Sequence, residues 1–151
     1  MLRNFDNRLN ADVIRCLRAM GHGDDLVISD TNFPSDSIAR QTVTGELLRM
    51  DNLTAAAAIE AILTVFPLDG FVDHPAERMG ITGEESKVLP VHREVQAAVD
   101  RAEGKSLPLG IVSRFDFYER AKRAYAVIVT GETRFYGCFL LKKGVIPPKE
   151  A

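Results

Sequence analysis

The chain of 151 residues has little cysteine, little net charge and no long apolar run. Its two cysteines, Cys16 and Cys138, are too few for a disulfide framework or a four-cysteine zinc site. With 19 basic against 21 acidic side chains, the formal charge of −2 argues against a general binder of nucleic acid or of an acidic membrane. The most apolar stretch, Ala55 to Phe66, carries Glu60 and Thr64 and is too short to span a bilayer. The start, MLRNFDNRLN, lacks an apolar core followed by small residues, so it does not read as a signal peptide and a cytoplasmic protein is expected. No repeat, low-complexity tract or linker is visible, and residues 1–151 read as one domain. The 46% apolar content with so little net charge excludes a disordered chain.

Helices and apolar strands alternate. Asn10 caps a first helix carrying Val13, Ile14, Leu17 and Met20, which Gly21 or Gly23 ends. Leu26-Val27-Ile28-Ser29 reads as a buried strand delivering Asp30 at its end. Asp51 or Asn52 caps a second helix that runs to Phe66 and is stopped by Pro67. Phe71-Val72 reads as a strand start, and Asp73 to Pro90 mostly as loop. A helix over His92 to Glu103, a strand over Leu109 to Val112 and a helix capped by Ser113 follow. Strands over Tyr125 to Thr130 and Phe135 to Leu141 close the pattern. This alternation predicts a layered α/β fold, a sheet covered by helices.

Three segments could carry chemistry. In Met20-Gly21-His22-Gly23-Asp24-Asp25, a histidine between two glycines has little local cover, and Asp30 lies at a strand end, the usual ligand edge of an α/β sheet. An imidazole ordinarily titrates near ~6.5 and exchanges protons at neutral pH. The competing reading is a helix cap with Asp30 capping a turn. His22 with Asp24, Asp25 or Asp30 has no HxH or HExxH spacing, so no metal is expected. In the second segment, Ser113 to Ala121, Arg114 opposes the dipole of the helix it starts, a placement that hints at ligand oxygens. The competing readings are a surface arginine paired to Asp116 or Glu119, and Tyr118 as a packing residue. In the third, Gly137 weakens a strand unless a ligand or a bulge brings something close, and Tyr136 and Cys138 share a face. His74 and His92 read as surface residues, and Lys142-Lys143 as a solvated strand end.

Taken together, MGHGDDLVISD at 20–30, RFDFYERAKRAYAVIVTGE at 114–132 and YGCFLLKKGV at 136–145 resemble the fucose mutarotase / ribose pyranase family (RbsD/FucU-like). The N-terminal helix and FPLD at 66–69 also fit, and the likeness is weakest from about Asp73 to Lys105. Arg114, Phe117 and Tyr118 place it nearer the fucose branch. The resemblance implies the RbsD-like fold and a catalytic His22, with Tyr118 near the site. It implies sugar contacts from Asp30, Arg114, Tyr136, Gly137 and Cys138, the last where the family usually has asparagine. It implies no cofactor, and a homo-oligomer, often a decamer of two stacked five-membered rings, with sites at subunit contacts.

The implied reaction interconverts anomers. A base takes the proton of the anomeric hydroxyl, an acid protonates the ring oxygen, the aldehyde rotates and the ring closes. In this reading His22 transfers the proton and Asp30 orients it or holds a sugar hydroxyl. Ribose pyranase-type ring interconversion, a non-catalytic monosaccharide-binding protein and a purely structural protein are the alternatives.

Overall fold

The computed structural model describes residues 2–149 and contains a mixed six-stranded sheet. In chain order the elements are α1 (Ala11–Ala19), β1 (Asp25–Ser29), α2 (Ser35–Ala39), β2 (Leu47–Met50), α3 (Ala55–Leu63) and β3 (Ala76–Met79). α4 (Pro90–Glu103), β4 (Gly110–Val112), α5 (Arg114–Lys122), β5 (Ala126–Thr130) and β6 (Phe139–Lys142) complete them. The strand order is β2-β5-β1-β6-β3-β4. β6 alone runs against its neighbours: it is antiparallel to β1 and β3, while β2, β5 and β1 are parallel and β3 is parallel to β4.

Helices cover both faces. Leu26 and Ile28 of β1 pack with α1, α3 and α4, whereas Val27 between them packs with α2 and α5. This alternation follows from the period of two along a strand. The fully buried run of β5 lies inside the sheet, between β2 and β1, because both of its faces are apolar. Asn10 caps α1 by accepting a hydrogen bond from the Val13 N–H, as its sequence position predicts. Among the described residues, no helix is long and apolar enough to cross a membrane.

Several expectations are corrected. Phe71 and Val72 do not start a strand: both are exposed, and the strand begins at Ala76, inside the stretch read as loop. β3 is disguised by its charges, since Glu77 is neutralised by Arg120 from α5 at 2.7 Å. α2 and β2 were not legible because each is short and held by tertiary contacts. Thr54, and not Asp51 or Asn52, caps α3. The last strand is only Phe139–Lys142, because Tyr136 turns the chain with a left-handed φ of 59°. Lys142 pairs with Asp25, and Lys143 reaches back to the carbonyls of Leu17 and Met20, closing the C-terminus of α1.

Candidate active site

The topology gathers the ends of β1, β3 and β4 and the approach to β6 at one edge of the sheet. A cavity of about 350 Å³ opens there, lined by Asp30, Asn32, Phe33, Met79, Arg114, Tyr118, Phe135, Tyr136 and Cys138. Five of the predicted site residues, Asp30, Arg114, Tyr118, Tyr136 and Cys138, therefore meet, although they come from three separate segments.

Asp30 is the organiser of this edge. It is 4% exposed. Its Oδ1 accepts from the backbone N–H groups of Asn32 and Phe33 at 3.0 and 2.9 Å, and its Oδ2 accepts from the Gly137 N–H at 3.1 Å. One carboxylate thus ties the loop after β1 to the turn before β6. Gly137 is buried and acts through this bond. The close approach foreseen for it comes from within the protein: a Cβ there would lie 2.7 Å from Glu132 Cγ and 3.3 Å from Asp30 Cβ. Glu132, itself buried, accepts from Arg134 at 2.8 Å, and this bond holds its carboxyl below the usual range. Burial, followed by the neighbouring charge of Asp30, pushes the Cys138 thiol well up, so it stays protonated at neutral pH.

Ser113 caps α5, accepting from the Asp116 N–H at 3.3 Å, and so places Arg114 at the mouth of the cavity. The alternative pairings for Arg114 are not made. Asp116 bonds Ser113, Glu119 bonds Lys122, and the Arg114 guanidinium lies 5.8 Å from the centre of the Tyr118 ring. Tyr118 also packs on Phe33 at 5.0 Å. The Tyr136 hydroxyl accepts from the Thr82 N–H at 3.4 Å. The walls combine the Arg114 cation, hydroxyls and a carboxylate with Phe33, Met79 and Phe135. Such a lining suits a small neutral polyol with one apolar face.

His22 lies elsewhere. It precedes β1 while Asp30 follows it, and five strand residues at about 3.3 Å each put roughly 17 Å between those edges. The expected orientation of His22 by Asp30 is therefore not made within one chain. Asp69 orients it instead: His22 Nε2 lies 3.2 Å from Asp69 Oδ1. Asp69 is held below the usual carboxylate value first by the Phe71 N–H and also by His22. As an ionised carboxylate accepts only, Nε2 carries the hydrogen and Nδ1 is the free basic nitrogen. The His22 side chain is 48% exposed and meets the edge of Phe71, which is itself 76% exposed.

Two further residues escaped the sequence reading. Asp69 was visible only as the end of FPLD. His92, read as a surface residue, is 1% exposed. Its Nδ1 accepts from the Leu89 N–H, so Nε2 donates to the Tyr136 carbonyl at 3.0 Å. This bond holds the left-handed turn that aims Tyr136 at the cavity. Burial lowers the His92 pKa, which favours the neutral ring that this pattern requires.

The chain is 42% identical to the fucose mutarotase of Bos taurus, over 99% of this chain and 97% of the bovine one. Among solved structures, that of protein Atu2016 matches with 61% identity and a TM-score of 0.95 over 97% of each chain. The fucose mutarotase of Streptococcus pneumoniae, solved in complex with L-fucose, matches with 32% identity and a TM-score of 0.85, over 97% of this chain and 100% of that one. Residues 3–146 match the RbsD / FucU transport protein family, and with full-length relatives at this identity the chain belongs to that family.

Proposed function

We propose that this protein is a mutarotase acting on L-fucose or a closely related monosaccharide, and that two copies build each active site. The observation that carries this reading is the division of the site residues between opposite edges of one sheet. One edge has a shaped polyol cavity without a free base. The other has an oriented, exposed histidine that lines no part of that cavity. A ring of like-oriented copies brings the second edge of one chain over the first edge of its neighbour, a heterologous contact that closes on itself. The exposed aromatic residues fit this contact, because Phe71 flanks His22 and Phe135, 73% exposed, flanks the cavity. A decamer of two stacked five-membered rings is the assembly we propose.

In the joined site, Arg114 and Asp30 hold sugar oxygens while Tyr136 and Phe33 cover the ring. Nδ1 of the neighbour's His22 takes the proton of the anomeric hydroxyl. Tyr118 is the acid that protonates the ring oxygen as the C–O bond breaks. Rotation of the open aldehyde and reversal of both transfers give the other anomer.

Mixing two inactive variants tests the division. His22→Ala retains an intact cavity and Arg114→Ala retains an intact histidine. Co-assembled in equal amounts, they restore about one quarter of the sites, because each site draws its two halves at random from two chains. Anomer exchange of L-fucose, read by saturation-transfer NMR, reports the recovery. A mixture as inactive as its components sinks the shared-site reading, and exchange unchanged in the single variants sinks the mutarotase mechanism.

A further inference from the structure

A second cavity, of about 460 Å³, lies between α4 and the β3–β4 edge, away from the candidate active site. Arg78 forms part of its wall. Along β3, Ala76 and Arg78 point toward α4 while Met79 points toward the opposite core. Arg78 is 3% exposed, which makes it the most deeply buried arginine among the described residues. Its Nη2 donates to the Glu85 carbonyl at 3.0 Å, and its Nη1 has no partner.

The other half-buried arginines of this protein are paired. Arg8 holds Asp6 and Glu60, Arg120 holds Asp25 and Glu77, and Arg134 holds Glu94 and Glu132. Among the described residues, no ion pair includes Arg78, and burial alone pulls its pKa down. A buried cation without a counter-charge is costly, and a protein usually supplies one.

The cavity wall shows what would fit. Arg93, exposed at its rim, stands on it with one guanidinium nitrogen on the Val88 carbonyl and, among the described residues, no acidic partner. Ser86 adds a hydroxyl. The one carboxylate of the wall, Asp100, is already engaged by Gln96 and by the Leu107 N–H, both at 2.8 Å. His92 has both ring nitrogens occupied. Two uncompensated guanidinium groups and a hydroxyl form a donor-rich site of net positive charge. A carboxylate brings two acceptor oxygens, whereas a phosphate brings negative charge together with enough acceptor oxygens for both guanidinium groups and the hydroxyl. We propose that this cavity binds a small phosphate group, either the free ion or a phosphate monoester, as a second site separate from the sugar cavity.

Isothermal calorimetry on the full chain tests this at constant ionic strength, with inorganic phosphate, glycerol 3-phosphate and acetate as probes. The expected result is one inorganic phosphate per chain and no heat from acetate. Arg78→Met replaces the bare charge with an apolar side chain of similar length and should fold; it weakens phosphate at least tenfold. Arg93→Ala weakens it less. Arg114→Ala leaves it unchanged, which separates this site from the sugar cavity. Tighter binding of glycerol 3-phosphate than of phosphate assigns a monoester, and the reverse order assigns the free ion. No heat from wild type with either phosphate probe, equal binding by Arg78→Met, or loss in Arg114→Ala overturns the proposal. So does a change of oligomeric state in Arg78→Met, which would make a second copy the source of the missing charge.

Discussion

The two edges of the sheet differ in how firmly each holds its functional groups. At the carboxyl edge Asp30 is buried and accepts three backbone hydrogen bonds, Gly137 and Cys138 are buried, and His92 fixes the Tyr136 carbonyl from behind. At the opposite edge His22 is half exposed and held by a single carboxylate. The binding half is preorganised within one chain. The half proposed to transfer the proton is oriented but open. Under the proposed function, Asp30 and the turn from Tyr136 to Cys138 that shape the cavity are tied to the core, and the histidine proposed to take the proton is left accessible.

The largest expected effect falls on the open edge. His22→Ala should slow L-fucose anomer exchange by about 10²- to 10⁴-fold, with thermal stability changed by less than ~0.5 kcal/mol. Exchange by NMR alongside a thermal melt checks both halves, and a large loss of stability would return His22 to a structural role. Asp69→Asn should cost roughly 10²-fold, because an amide can donate to Nε2 and turn the ring to the wrong tautomer. Here the rate constant should fall while sugar affinity stays, and a loss of affinity alone would break the assignment.

The closed edge answers differently. Gly137→Ala places a Cβ 2.7 Å from Glu132 Cγ and 3.2 Å from the Arg134 carbonyl. It should cost about 1–3 kcal/mol of stability and weaken fucose binding, as the Asp30 tie is pushed apart. Denaturant melts and calorimetry measure the two effects, and a stable variant with normal affinity would show that this edge is not rigid.

The smallest effect is a pH dependence. Burial lowers the His92 pKa from its ordinary value of 6.5, so the unfolded chain takes up the proton first. His92 therefore contributes full stability above about pH 6.5, and that contribution is lost as pH falls from there toward the lowered folded value. His92→Gln keeps a donor for the Tyr136 carbonyl without titrating. The stability difference between the two proteins should thus shift in favour of the variant on acidification. A difference that stays flat from pH 8 down to about pH 5 would remove His92 from this role.

Much of this was legible before the fold. β1 and β5 read as strands because both are continuous apolar runs, and Arg114 stood out because a cation opposes the dipole at the start of α5. β3 was hidden by Glu77 and Arg78, whose charges mask a buried strand. Gly137 was suspected of a close approach, but the chain alone did not say whether a ligand or the protein supplied it. His92 gave no signal at all, since its partner lies 44 residues away in the chain.

Local pattern by itself determined α1, α3, α4 and α5, the strands β1 and β5, and the three segments bearing His22, Arg114 and Tyr136. It did so because hydrophobic periodicity and capping act over a few residues. The tertiary structure alone decided that Asp30 organises the cavity, that Asp69 and not Asp30 orients His22, and that His22 faces away from the cavity. Those facts depend on which strand ends share an edge, a property of sheet order and direction that no short stretch of sequence contains.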